Sequence, residues 1–170
     1  MMISSCFPST NWSVRHERSK MMDNISTAER SAVMAKVRSK NTNPEVYFRK
    51  LLFKHGYRYS LHPDSVPGHP DIWLRKYHTA IFIHGCFWHR HLGCSLTRTP
   101  KSNVDFWEIK FKKNIERDER TRESLAHKNI KCLVVWECTI KRMKKDQSFQ
   151  QLVLDKVIKF LNNQQLYDEL

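Results

Sequence analysis

Between Ile83 and Cys94 the chain reads Ile-His-Gly-Cys-Phe-Trp-His-Arg-His-Leu-Gly-Cys. Thiolate and imidazole are the ligands Zn²⁺ takes in tetrahedral sites. Cys86, His91 and Cys94 supply three of them within nine residues. A closed structural site needs a fourth, and Cys138 is the best candidate. It follows directly on the strand-like Val134-Val135-Trp136-Glu137, so it can reach the sheet edge where Cys86 lies. Cys132 shares the parity of Val134 and Trp136 and reads as core, while Cys6 lies near the N-terminus. Reduced core cysteines beside surface histidines would be the plainer account, but they leave the spacing unexplained. A four-ligand set leaves His84 and His89 unassigned. Phe87 and Trp88, set among these residues in a basic protein, offer flat surfaces for stacking.

A second constellation is acidic. Asp71 follows Pro70 at the start of a strand. A hairpin through the apolar run Thr79–His84 brings Asp71 opposite residues 83–84. Many nucleases hold Mg²⁺ at the scissile phosphate between one strand's carboxylate and the next strand's end, and Mg²⁺ prefers oxygen ligands. Asp71 is then the protein ligand, although a lone Asp at a strand start is by itself only a turn residue. On a long helix over about Val104–His127, Trp107, Phe111, Asn114, Asp118 and Leu125 fall on one narrow arc. Asn114 and Asp118 therefore share a face with core aromatics and need partners there, either an Arg or a metal site. Glu45, in the first turn of its helix, is a helix-dipole residue unless that helix end faces the site.

The elements that must position these groups follow from periodicity and breakers. Ser26 or Thr27 caps a helix through Ala28–Val37. Asn41-Thr42-Asn43-Pro44 opens a second helix, with Val46, Phe48, Leu51 and Leu52 inward, which ends at Gly56. Tyr57–Leu61 alternates like a strand, Pro63–Pro70 is a loop, and Asp71–Tyr77 and Thr79–His84 are two strands joined near Lys76. Thr97–Ser102 is loop, Lys131–Glu137 a strand, and Ser148–Leu161 a C-terminal helix. The order α-α-β-β-β-α-β-α predicts a mixed α/β sheet flanked by helices.

The chain has 170 residues and carries 30 Lys and Arg against 17 Asp and Glu, a net charge of +13 with pI near 9.7. One domain is the simplest organisation at this length, with residues 22–170 as its extent. So large a surplus points to a polyanion, nucleic acid first and an anionic membrane surface second. No apolar run reaches spanning length, so no membrane partner is expected. Residues 1–21 read as a mobile tail without the pattern of a signal peptide, and Met21 or Met22 could be the true start. A cytoplasmic location, with the cysteines reduced, is the expectation.

Assembled, these residues resemble the very-short-patch repair (Vsr) mismatch endonuclease family over about Ser26–Ile140. The resemblance rests on Pro67-Gly68-His69-Pro70-Asp71, Phe82-Ile83-His84-Gly85-Cys86-Phe87-Trp88-His89, Phe106-Trp107, Asn114-Ile115-Glu116-Arg117-Asp118 and Val134-Val135-Trp136-Glu137-Cys138. It implies a restriction-endonuclease-like fold with a structural zinc. It also implies a Mg²⁺-dependent, strand-specific nick 5′ to the T of a T:G mismatch left by deamination of 5-methylcytosine. Asp71, and Ile83 through its backbone carbonyl, would hold Mg²⁺. His89 would activate or position the attacking water, His84 and Asp118 would support the hydrated metals and the phosphate, and Glu45 would join the water network. Cys86, His91, Cys94 and Cys138 match the zinc ligands. Phe87, Trp88 and Trp107 match aromatics that wedge into the duplex beside the mismatch, where weakened stacking lowers the cost. Lys110 and Asn114 are expected at the DNA. Met34 is expected there too, although a core Met on an amphipathic helix is an equal reading of that residue. The implied partner is double-stranded DNA, with accessory repair proteins, around a monomer in a bacterial nucleoid.

Three alternatives compete. A zinc-stabilised DNA-binding module would not need Asp71, His84, His89 and Asp118 together. Another nuclease of the same fold could cut unmismatched or modified DNA, since fold alone does not fix specificity. A zinc hydrolase using His84 and His89 would leave better ligands unused.

Overall fold

The computed structural model describes residues 40–170. The expected tail 1–21 and the helix through Ala28–Val37, with Met34, lie outside the described residues.

Pro44 stands in the first turn of α1 (Asn43–Lys54), where a missing N–H costs no hydrogen bond. Glu45 reaches back over that turn and accepts from the Asn41 N–H at 2.8 Å and the Thr42 hydroxyl at 2.7 Å. Glu45, Phe48, Leu51 and Leu52 are the buried residues of this helix. Val46, expected inward, is only half-buried, because it lies well off the arc that Glu45, Phe48 and Leu52 define.

The strand expected over Tyr57–Leu61 is reduced to one bridge, Ser60 with Trp73. His62, in left-handed conformation at φ 44°, and Pro63 turn the chain away at once. β1 (Ile72–Leu74) is correspondingly short. A 3₁₀ turn over Arg75–Tyr77, closed by His78 at φ 48°, replaces the rest of the expected strand and leads into β2 (Thr79–His84). After it come a single helical turn, α2 (Cys86–His89), the long helix α3 (Val104–His127) and β3 (Lys131–Trp136). Two elements were not legible in the sequence. α4 (Glu137–Met143) starts where β3 was expected to continue, and it buries Ile140 and Met143 three residues apart. α5 (Gln147–Asn162) is followed by β4 (Tyr167–Glu169), whose polar Tyr-Asp-Glu carries no alternating apolar signal.

The sheet order is β1-β2-β3-β4, with β1 antiparallel to β2 and the other pairs parallel. Every residue of β3 is buried, as a strand covered on both faces requires. Ile81, Leu133 and Val135 face a core formed with α1, α4 and α5. Ala80, Cys132, Val134 and Trp136 face the opposite layer, which includes Leu125 of α3. Two consequences place the site. The parallel pair ends with His84 beside Trp136, so residues 83–86 and 137–138 emerge at one sheet edge. The loop carrying Asp71 lies against α3 at Gly68 (φ 79°), where a Cβ would fall 2.2 Å from the Thr121 methyl. Only glycine permits that approach.

Candidate active site and metal centre

Three groups of potential metal ligands meet at this edge: Cys86, His91, Cys94 and Cys138; His84, His89 and Asp118; and Glu45, His62 and Asp71. Within each group, one ligand atom per residue lies within 4.8 Å of the others.

In the thiolate group, His91 Nδ1 is 3.7 Å from Cys86 Sγ and 3.3 Å from Cys138 Sγ. Ligands about 2.3 Å (S) and 2.0 Å (N) from one tetrahedral ion would sit roughly 3.5 Å apart, so the set fits. Burial and the neighbouring Cys138 thiol push Cys86 up to about 12. The Leu96 backbone N–H draws Cys94 down. A cation would hold all three sulfurs as thiolates. The His91 ring stacks on Trp136 at 4.1 Å.

In the cleft, Asp71 Oδ2 accepts from the Ile83 N–H at 2.7 Å, which fixes the carboxylate against the end of β2. Burial raises Asp71 to about 6 against the opposing pull of that hydrogen bond, and Glu45 adds to the rise. His89 Nδ1 lies 2.5 Å from Asp118 Oδ2 of α3. Burial alone would raise Asp118, but the hydrogen bond and charge of His89, with His84 and Arg117, hold it below the usual carboxylate range. His84 stacks on His89 at 3.7 Å and 12° between planes. Burial and the adjacent His89 lower His84 to about 3, so it is neutral at physiological pH. Glu45, Asp71, His84, His89 and Asp118 line one cleft of about 960 Å³. A carboxylate set at a strand end beside an Asp-anchored imidazole is the equipment of metal-assisted hydrolysis.

The family model described as DNA mismatch endonuclease Vsr matches residues 16–95. A relative named Type II nicking enzyme V.NmeAIP, from Neisseria meningitidis, is 49% identical over 71% of this chain and 86% of its own length. The DNA mismatch endonuclease Vsr of Escherichia coli is 36% identical over 74% of this chain and 80% of its own. A third, Type II nicking enzyme V.XorIIP of Xanthomonas oryzae, is 43% identical over 71% and 88%.

The chain belongs to the Vsr family of DNA endonucleases.

The restriction-endonuclease-like fold of that family agrees with the mixed sheet and its flanking helices. As a Vsr-family enzyme the protein acts on DNA, and its aromatic segment lies beside the cleft. Phe87 makes edge contacts with Trp88, Trp107 and Phe111 at 5.0–5.3 Å. Phe87 and Trp88 are half-buried, so they keep a free edge. Trp107 is different. At 6% exposure it lies packed beside them and Phe111, where it backs the pair rather than standing out. Asn114, expected at DNA, is 9% exposed and donates to the Trp88 carbonyl at 2.9 Å, so it holds the end of α2 in place. Lys110 lines the cleft, as does Arg117. Met34 lies outside the described residues. His62, isolated beside a turn, gave no periodic signal in the sequence, and Phe106, part of the Phe106-Trp107 block, is 60% exposed. Among the described residues no helix is long and apolar enough to cross a membrane.

Proposed function

We propose that this protein is a strand-specific mismatch endonuclease, with residues 22–170 as its single catalytic domain. It hydrolyses the phosphodiester 5′ to the T of a T:G pair left by deamination of 5-methylcytosine. Mg²⁺ is the proposed cleft cation and Zn²⁺ the ion of the thiolate group. The observation that carries this reading is the meeting, at one sheet edge, of the Asp71 carboxylate, the Asp118-anchored His89 and the half-exposed Phe87-Trp88 pair.

Asp71 and the Ile83 carbonyl, with Glu45 near them, are the residues that would hold Mg²⁺. A divalent cation there supplies charge neutralisation at the phosphate and an acidified water. The protein's own groups do the rest. Asp118 keeps the proton on His89 Nδ1, which leaves Nε2 free to accept one from the attacking water. His84, neutral and stacked on His89, fixes the plane of that ring and lines the path of the phosphate. Phe87 and Trp88 enter the weakened step at the mismatch, supported from behind by Trp107. Lys110 and Arg117 attract the backbone, in a salt-dependent way. Cys86, His91, Cys94 and Cys138 would hold Zn²⁺ as a closed structural site that ties α2 to α4. The enzyme would work as a monomer in the bacterial cytoplasm, on chromosomal DNA, with accessory repair proteins acting on the nick.

A labelled duplex bearing T:G in a cytosine-methyltransferase site, incubated with Mg²⁺ or EDTA, tests the reading. The expected result is one Mg²⁺-dependent nick 5′ to the T and none on the T:A control. Relatives named as type II nicking enzymes favour a second reading, nicking at a defined sequence regardless of mismatch. Equal cutting of both duplexes would select it. Tight binding without a nick would point to a different flanking sequence or to a DNA-binding module.

A further inference from the structure

His62 is not among the residues assigned above, yet it stands at the cleft carboxylates. The Ser60–Trp73 bridge clamps its segment beside β1, so the ring lies next to Asp71. His62 Nδ1 is 3.8 Å from Asp71 Oδ1, too long for a hydrogen bond. That oxygen is the one not engaged by the Ile83 N–H, which binds Oδ2. The other ring nitrogen, Nε2, is buried and has no hydrogen-bond partner among the described residues. A buried imidazole nitrogen left without a hydrogen bond is costly and calls for a physical explanation. Glu45 completes a triangle in which one ligand atom of each residue lies within 4.8 Å of the others. Two donors each about 2.1 Å from a shared octahedral ion sit roughly 3–4.2 Å apart, depending on whether they are adjacent or opposite. The observed 3.8 Å falls inside that range.

We propose that His62 is a nitrogen ligand of the same divalent cation that Asp71 binds, with Glu45 within reach of it. This rests on the reading of the cleft as a cation site and sharpens it. The donor set becomes nitrogen and oxygen rather than oxygen alone. Imidazole favours Mn²⁺ and the later divalent ions over Mg²⁺, following the usual order of affinities. The enzyme should therefore take Mn²⁺ more readily than an all-carboxylate site would.

The test uses full-length protein carrying its thiolate-site metal, without DNA, titrated with Mn²⁺ and followed by electron paramagnetic resonance. Wild type, His62→Gln, His62→Ala and Asp71→Asn are compared. The expected result is a ¹⁴N modulation on the bound Mn²⁺ that disappears in both His62 variants. Mn²⁺ affinity should fall about tenfold or more in both, with a smaller loss for Mg²⁺ in competition. Persistence of the ¹⁴N signal and of affinity in both His62 variants, with loss in Asp71→Asn, would overturn the His62 assignment and leave the cation site standing. Unchanged Mn²⁺ binding in Asp71→Asn would overturn both. Should the His62 variants fail to fold, the wild type decides alone by NMR. Substoichiometric Mn²⁺ must broaden the His62 ring signals first, and a sharp His62 beside broadened His84 and His89 overturns the proposal.

Discussion

Asp71 carries two opposed demands. Its carboxylate must be anionic to hold a cation, yet burial raises it to about 6. The group's ordinary value is 3.8, so ionisation is disfavoured by folding. The stability it contributes is whole below about pH 4 and is lost as the pH rises through about 6. At neutral pH without divalent ions, Asp71→Asn should thus stabilise the protein, by something on the order of 2 kcal/mol. Thermal melts in Mg²⁺-free buffer, with the thiolate-site metal retained, should show a rise of a few degrees, while DNA cleavage is abolished. Asp118→Asn probes the neighbouring contact. With an amide in place of the carboxylate, His89 loses the anionic, acceptor-only partner that fixes its Nδ1 proton. The rate should drop about 10²–10⁴-fold, by analogy with the loss of a carboxylate behind a catalytic His, with duplex affinity within twofold in a binding titration. At this scale much of the site was legible. The spacing of Cys86, His91 and Cys94 marked a ligand set, and the hairpin placed Asp71 at Ile83. His62 was not legible, because nothing in a lone His before Pro63 says that a bridge thirteen residues from its far partner, Ser60 to Trp73, will lay it on Asp71.

The elements were legible in proportion to their hydrophobic period. α3 runs over Val104–His127 as its apolar arc predicts, and β2 and β3 are the two apolar runs. β4 escaped because Tyr167–Glu169 is polar and gains its place only by parallel pairing with β3. α4 escaped because Trp136-Glu137-Cys138 continues a strand-like run, and only the burial of Ile140 and Met143 shows the change of period. The start of α5 shows what one cap does. Asp146 accepts from the Phe149 N–H at 2.9 Å and from Ser148 Oγ at 2.6 Å. The Ser148 bond first, then the Phe149 N–H, hold its carboxyl below the ordinary value. The stabilisation is therefore present above about pH 4 and is lost as the pH falls through the lower folded value. Asp146→Ala should lower the melting temperature at pH 7, and its gap from wild type should narrow as the pH is taken below the ordinary carboxylate range in circular-dichroism melts.

The whole molecule carries +13 charges on 170 residues, which was enough to name a polyanion before any element was placed. Its sign says nothing about where the polyanion lies, and only the fold brings Lys110 and Arg117 of α3 to the cleft wall. The log–log dependence of duplex affinity on salt should be steep, and Lys110→Gln should reduce its slope by about one, the signature of a single lost phosphate contact. Equal slopes for the variant and wild type would place Lys110 away from the backbone.

The stretch from His84 to Cys94 alternates its duties. His84 and His89 belong to the cleft, and Cys86, His91 and Cys94 to the thiolate group that faces Cys138. With the proposed metal in the thiolate group, one short run of backbone would be held at sulfur and used at nitrogen, and the consequence would be a sensitivity to oxidation. Peroxide that takes one thiol to sulfenic acid, or joins two as a disulfide, empties the donor set. The turn that keeps His89 against Asp118 would then lose the proposed tie to α4. A reaction confined to sulfur would silence the nuclease with every hydrolytic group chemically intact, and a thiol reductant followed by metal would return it to work.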